Sequence, residues 1–323
     1  PAVQAPLLFE DLPASPSPLR AAVLGSGSGG NAVVVESAGF RVLIDAGFSC
    51  KELERRMRLV GIDPATIRAV LLTHEHEDHI KGIDRFARKH RLPVYLTAGT
   101  MLGTVLGDEV VPRSVRIESG RPVEAFSIPH DAREPVGFVL QDGHGRRLGL
   151  ASDIGCRTQL AWGRLADLDC LMLETNHDLE MLRSGPYPWA LKQRVAGRHG
   201  HLSNREAADG LPELLAERLR FVVLYHLSRT NNMPALAAAE VAETLARVER
   251  QKKLARAMLV ERDRPAKSRC GLSIELMANI ELPSEAAAAI EHGAQGIGLY
   301  RTEFLFVDRS EPPSEDEQYS VYR

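Results

Sequence analysis

Short apolar segments alternate with amphipathic ones from Ala21 onward. Ala21–Leu24 and Ala32–Glu36 read as strands around the turn Gly25-Ser26-Gly27-Ser28-Gly29-Gly30-Asn31, with Arg41–Asp45 as a third strand. Lys51–Val60 carries a helical pattern closed by Gly61, the residue type that most readily ends a helix. Arg68–Thr73 is apolar and β-branched enough for a buried strand, and Ile80–His90 is predicted as a helix stopping before Pro93. Further strands are predicted at Glu124–Ile128, Val136–Gln141, Arg147–Ala151, Leu168–Glu174 and Phe221–Tyr225. Helices are predicted at Asp178–Arg183, Tyr187–Gly197, Asn204–Ala216 and Pro234–Arg250, and a last strand at Ala255–Val260. Strands come early and helices lengthen toward the end, the pattern of sheets covered by helices with loops along one edge. After Arg264-Pro265-Ala266-Lys267-Ser268 the character changes to a strand at Ser273–Ile280, an Ala-rich helix at Ser284–His292 and an apolar stretch at Ile297–Phe306.

Composition narrows this picture. Of 323 residues, 44% are hydrophobic and 26% charged, so a folded soluble protein is expected, one large domain with an appendage or two domains. Aromatics at 5% argue against a surface built around base-stacking, and a net charge of −3 exerts no global pull on nucleic acid. A phosphate-rich ligand must therefore meet local positive charge, including metal. Cys50, Cys156, Cys170 and Cys270 form no C-x-x-C pair, which removes a disulfide framework and a cysteine zinc site. Residues 1–19 are expected to be a flexible leader: they lack the basic and apolar regions of a signal peptide. No apolar run approaches the roughly 20 residues of a membrane span, so no membrane partner and a cytoplasmic location are expected.

The chemistry concentrates in Thr73-His74-Glu75-His76-Glu77-Asp78-His79, just after the buried strand. Neutral imidazole and carboxylate suit zinc, manganese or iron near neutral pH. In an extended turn His74 and His76 project to one side, while Asp78 and His79 follow a bend into the next helix and can face a second ion. Two ions roughly 3.5–4 Å apart can share a hydroxide nucleophile and hold both attacking and leaving oxygens.

This turn resembles the signature of the metallo-β-lactamase superfamily. The flanks Leu24-Gly25-Ser26-Gly27-Ser28-Gly29-Gly30-Asn31, Leu43-Ile44-Asp45-Ala46-Gly47, Ser152-Asp153-Ile154-Gly155, Glu174-Thr175-Asn176-His177-Asp178, Gly200-His201-Leu202-Ser203-Asn204 and His226-Leu227-Ser228-Arg229-Thr230-Asn231-Asn232 resemble its YycJ/WalJ branch. That branch is related to transfer-RNA 3′-processing enzymes and PhnP-type phosphodiesterases. The resemblance implies an αββα sandwich over residues 20–265. It assigns His74, His76 and His130 to one ion, Asp78, His79 and His226 to the other, and Asp153 to both. Asp78 would also take part in catalysis.

Outside the ligand set, Asp45 is a candidate to orient a ligand histidine. By the same resemblance, His201 acts near the scissile phosphate, donating a proton to the leaving oxygen or holding a phosphate oxygen. Ser203 or Asn204 is expected to cap the following helix. Asn176, His177, Ser203 and Arg229 are further substrate or supporting candidates. Gly25–Asn31 joins two strands and so reads as a tight turn beside the metals, not a nucleotide-cradling loop. Lys192, Arg194, Arg198, Arg205 and Arg229 are open between meeting a polyanion backbone and lying as solvated helix charges. His90, His144, His199 and His292 read as surface residues.

The tail resembles a different family. Glu275-Leu276-Met277-Ala278-Asn279-Ile280 and Gly296-Ile297-Gly298-Leu299-Tyr300-Arg301-Thr302-Glu303-Phe304-Leu305-Phe306 are similar to the start of the phosphoenolpyruvate-binding barrel of enzyme I, the phosphoenolpyruvate–protein phosphotransferase. In that family the arginine matching Arg301 contacts the substrate phosphate. A phosphohistidine segment, the later metal carboxylates and the catalytic cysteine have no counterpart in this sequence. Two strands and a helix cannot close a (β/α)8 barrel. Residues 266–323 are therefore expected to be a barrel fragment, whose apolar stretches would dock elsewhere or drive self-association.

The resulting expectation is a phosphodiester hydrolase using a hydroxide between two divalent ions, Zn or Mn, acting on nucleic acid, DNA or RNA, as a nuclease. The alternatives are a small-molecule phosphodiesterase, a phosphoenolpyruvate-dependent phosphotransferase suggested by the tail, and a non-catalytic metal-stabilised module.

Overall fold

The computed structural model describes residues 19–107, 110, 112–114, 123–305 and 311–322. The expected leader, residues 1–19, lies outside them except for its last residue. The antiparallel strands β1 (Arg20–Gly25), β2 (Ala32–Ser37) and β3 (Phe40–Ile44) start the first sheet. Helix α1 (Cys50–Leu59) returns the chain so that β4 (Ile67–Leu71) lies parallel to β3. Helices α2 (Glu77–Ile80) and α3 (Ile83–His90) lead to β5 (Val94–Leu96), and α4 (Ala98–Gly103) to β6 (Pro112–Ser114), both parallel additions.

The second sheet opens with the antiparallel β7 (Val123–Ser127), β8 (Val136–Gln141) and β9 (Arg147–Ala151). After α5 (Gln159–Leu165), β10 (Cys170–Glu174) joins β9 in parallel. Helices α6 (Leu179–Ser184), α7 (Trp189–Val195) and α8 (Asn204–Gly210) precede β11 (Phe221–Tyr225), parallel to β10, and α9 (Pro234–Glu261) follows.

Alternation along the strands builds three apolar layers. Ala32, Val34, Leu43 and Val70 face Leu53, Met57 and Phe86 of α1 and α3. Val33, Val35, Val42, Ile44 and Leu71 face Phe138, Leu148, Leu150 and Met172 of the other sheet. Val139, Leu171 and Leu173 face Trp162 and Leu165 of α5. Both faces of each sheet are covered, so strand residues one apart belong to different layers. This is the expected αββα sandwich.

Several expected boundaries move. Ile80–His90 is not one helix: Gly82 separates α2 from α3, its N–H bonded to Ala46 O at 2.8 Å. A Cβ on Gly82 would stand 2.0 Å from Phe48 O, so backbone contact with the 46–48 segment forces the break. The helix expected over Asn204–Ala216 turns into a 3-10 segment, Leu211–Leu214, at Pro212, which has no N–H to continue an α-helix. The strand expected at Ala255–Val260 is the end of α9, because Ala255, Met258 and Leu259 are strong helix formers and no Gly or Pro interrupts 235–261. Short β5 and β6 and helices α4 and α5 were not predicted, being too brief for a clear period.

His90 is also not a surface residue. Its side chain is 13% exposed and Nε2 lies 3.0 Å from Glu54 Oε1, which Lys89 Nζ also meets at 2.6 Å. Burial opposes charge on Glu54, but Lys89, His90 and Arg58 outweigh it and lower its pKa from 4.5 to about 2. A depressed carboxylate pKa stabilises the fold above the unfolded value and loses that contribution as pH falls through the folded one. Glu54→Gln should therefore cost about 1–3 kcal/mol at neutral pH and progressively less below pH ~4. Denaturant unfolding at pH 7 and pH 3 measures this, and equal midpoints for both proteins at pH 7 refute it.

The described residues divide into two compact units, the first ending at Leu245 and the second starting at Ala246. The second unit holds β12 (Met277–Ile280), α10 (Glu285–Glu291), β13 (Gly296–Tyr300) and α11 (Glu315–Tyr322), with β12 and β13 parallel. Arg301 follows β13 and bonds Glu281 Oε1 at 2.9 Å. Phe306, the end of the expected apolar stretch, lies outside the described residues. Among the described residues no helix is long and apolar enough to cross a membrane.

Candidate metal centre

Parallel strands end side by side and deliver the polar groups together. In the second sheet Leu173 pairs with Ala151 and Glu174 with Tyr225, so Asp153, Glu174 and His226 emerge at one edge. In the first sheet Ile44 pairs with Leu71, placing Asp45 beside Thr73 and His74. Asp45, Asp153 and His226 all take left-handed φ values of 55–60°, a conformation disfavoured for side-chain-bearing residues and concentrated at functional sites.

The seven residues expected as ligands converge. His74 Nε2 lies 3.1 Å from His76 Nδ1, which lies 3.3 Å from His130 Nε2. Asp78 Oδ2 lies 3.7 Å from His79 Nε2 and 3.6 Å from His226 Nε2. Asp153 stands between these groups: Oδ2 is 3.1 Å from His79 Nε2, while Oδ1 is 3.8 Å from His130 Nε2 and 3.5 Å from His226 Nε2. The three-histidine group, and the group of Asp78, His79 and His226, each have donor atoms within 4.8 Å of one another.

The rings are oriented from behind. His79 Nδ1 meets Asp45 Oδ2 at 2.8 Å, and His226 Nδ1 meets Glu174 Oε1 at 2.8 Å. Carboxylates accept, so both Nδ1 atoms carry the hydrogen. His130 Nδ1 donates to Gly200 O at 3.0 Å. Thr73 Oγ1 bonds Asp45 and stands 3.0 Å from His74 Nδ1. Four rings thus turn Nε2 toward the centre, and His76 presents Nδ1. Such outer partners set the tautomer and aim of metal-binding imidazoles. Asp153 Oδ2 and His226 Nε2 are buried without a hydrogen bond, as donors awaiting a cation would be. The set fits two divalent ions.

The electrostatics agree. Burial opposes ionisation of Asp153, but His226 and His79 outweigh it and hold its pKa well below the ordinary value. Burial likewise disfavours charge on His79 and His226, and is overcome chiefly by Asp153, so His79 rises well above normal and His226 to about 10. Burial leaves His74 and His130 neutral. The pocket thus carries a net demand for positive charge, which bound cations meet when ligand protons leave.

The supporting residues divide. His201 lines the cleft with Nδ1 held 2.8 Å from Glu174 Oε1, leaving Nε2 free. Asn176 donates to His226 O at 3.0 Å. Ser203 caps α8 in a reciprocal capping box with Glu206. His177 is fully buried with both ring nitrogens unbonded, and does not reach the donor groups of the cluster. Arg229 is exposed, its guanidinium over the backbone of Gly29, where a Cβ would come within 2.7 Å. Of the basic residues, Arg205 pairs with Asp209 and Glu240, Arg194 with Asp131, and Lys192 bonds Arg183 O.

Glu174 escaped sequence reasoning although its motif was noted. It is fully buried, joins His201 to His226, and accepts from the backbone of Ile154 at 2.7 Å. A glutamate ending an otherwise apolar strand, like Asp153 just beyond its own, was the available signal. Asn31 was missed too: its Nδ2 lies 2.9 Å from His79 Nε2 and 3.2 Å from Asp78 Oδ2.

Comparison with known proteins follows the same division of the chain. The family described as "Beta-lactamase superfamily domain" matches residues 40–227. Exodeoxyribonuclease YycJ of Bacillus anthracis is 35% identical over 236 residues, covering 70% of this chain and 89% of that protein. The crystal structure of the metallo-beta-lactamase fold protein YhfI from Bacillus subtilis superposes with a TM-score of 0.56 at 17% identity, covering 71% of this chain and 93% of that one. Residues 256–323 match the "PEP-utilising enzyme, PEP-binding domain". There the phosphoenolpyruvate-protein phosphotransferase of Bacillus sp. (strain S) is 55% identical over 53 residues, 16% of this chain but 9% of that protein.

Proposed function

The chain belongs to the beta-lactamase superfamily, and from that premise we propose that it is a metal-dependent phosphodiester hydrolase acting as a nuclease on DNA or RNA. The observation that carries this reading is the inward aim of five imidazoles around Asp153, each of four rings fixed by a partner on its Nδ1. His74, His76 and His130 would hold one divalent ion, Asp78, His79 and His226 a second, and Asp153 both. Imidazoles and carboxylates without thiolate suit zinc or manganese. Such ions supply Lewis-acid polarisation of a phosphoryl oxygen and a water acidic enough to act as nucleophile.

The protein's own part is positional. Glu174 holds the His201 ring so that its free nitrogen can pass a proton to the leaving oxygen. Asp78, at the cleft wall, keeps its carboxylate beside both His79 and His226. In this reading residues 20–265 carry the reaction; every proposed ligand lies between His74 and His226. Similarity to an exodeoxyribonuclease over 89% of its length favours a nucleic acid over a small phosphodiester. Phosphoryl transfer from phosphoenolpyruvate is disfavoured, because the tail spans 9% of the phosphotransferase it matches and Arg301 is paired with Glu281.

The test is metal analysis together with hydrolysis of end-labelled single- and double-stranded DNA and RNA under added Zn²⁺ or Mn²⁺. About two ions per chain are expected, with cleavage abolished by a chelator and restored by readdition. A loaded protein that cleaves neither nucleic acid nor bis(p-nitrophenyl) phosphate removes this function.

A further inference from the structure

Beside the histidines the lining of the cleft includes residues of different character. Tyr187, Leu191 and Val195 line it, spaced by four residues along one side of α7 and the turn that enters it. No residue of α7 is buried, so this apolar row is not core. It lines the same cavity as His76, Asp78, Asp153 and His201. A phosphodiester alone needs no apolar wall beside its ions.

The wall is fastened to the reacting groups. His201 N donates to Val195 O at 2.8 Å, and Arg194 pairs with Asp131, the neighbour of His130. A Cβ on Gly200 would come within 2.2 Å of both Arg194 O and Val195 O, so the backbones of wall and histidine loop touch directly. The cavity measures about 230 Å³, below the roughly 300–1,000 Å³ of pockets for drug-sized ligands. A half-open space of that size favours a small unit such as a single nucleotide over a larger enclosed ligand.

Resting on the nuclease reading, we propose that the Tyr187–Leu191–Val195 wall seats the base of the terminal nucleotide of a single strand, with the adjoining phosphodiester at the histidine cluster. An aromatic face accepts any base, since every base has a π-face, so the seat selects a strand end and not a sequence. A low aromatic content argues against a stacking track along a strand but is compatible with one seat. The juxtaposition also explains why α7 is built as a fixed wall and not as a core helix.

The experiment compares short single-stranded oligodeoxynucleotides whose terminal residues either carry a base or are abasic, using the metal-loaded full chain. The unaltered protein should favour the base-bearing end in kcat/KM by about 5- to 150-fold. Tyr187→Ala should bring that ratio close to one, mainly through KM, while Tyr187→Phe restores it. Tyr187→Leu, which keeps apolar bulk without a ring, should fall between and covers the case in which the Ala protein does not fold. If the ratio is one in the unaltered protein, or survives Tyr187→Ala, the seat is refuted while the nuclease reading stands. If neither strand is cleaved, the nuclease reading fails and the seat fails with it.

Discussion

Replacing Asp153 by Asn is expected to reduce hydrolysis on the order of 10³-fold or more, beyond the 10–100-fold typical of losing an outer partner of a metal ligand. Asn keeps the shape of the side chain and tolerates the left-handed backbone at φ 56, so the fold should survive. What is lost is the negative charge lying between His79, His130, His201 and His226. After burial, Asp153 is the largest influence on the pKa of both His79 and His226, and removing it lowers both. Metal content should fall together with activity, because the residue faces both donor groups. Elemental analysis, turnover and thermal unfolding of the same preparations decide the matter. A variant that retains both ions and stays within tenfold of normal turnover would show that Asp153 is a packing residue.

The second large effect is expected at His201. His201→Ala should slow turnover by roughly 10²–10⁴, the range for a lost acid–base group, while leaving metal content unchanged. His201 lies outside the three-histidine group and the group of Asp78, His79 and His226, but falls in a further donor cluster with Asp153, Glu174 and His226, so the metal content of this variant also tests whether it serves as a ligand. Its ring is tied to Glu174, which also bonds His226, so deletion leaves the carboxylate with one imidazole partner in place of two. The loss should fall on kcat more than KM, and substrates with a strongly acidic leaving group, such as bis(p-nitrophenyl) phosphate, should suffer least because they need no proton. An equal loss on nucleic acid and on the activated ester would assign His201 to binding or structure and not to proton transfer.

Much of the centre was legible because ligand chemistry is local. His74, His76, Asp78 and His79 fall within one turn after a buried strand, and the flanks pointed to Asp153 and His226 at later strand ends. Residues whose importance lies in what they hold were harder to see. Glu174 looks like an acidic strand terminus until its strand is placed between β9 and β11, where it reaches two histidines and a backbone amide. Tyr187 and Leu191 lie within the helix expected over Tyr187–Gly197, and a helical pattern does not show what one side of the helix meets. The strand expected at Ala255–Val260 failed for a related reason: a short run of Ala, Met and Leu suits strand or helix, and here the helix simply continues.

The sequence by itself determined sheets covered by helices, since strands apolar at both parities, such as the one ahead of His74, need cover on both faces. It also determined the kinds of donor present and their order. Only the tertiary structure decided which nitrogen each imidazole offers. Those choices depend on partners far along the chain: Asp45 lies 34 residues from His79, Glu174 52 from His226, and Gly200 70 from His130. A ring has two nitrogens, and the one that is free is set by what holds the other. That hold comes from parallel strand ends brought into register across the sheets, a pairing that no local stretch of residues contains.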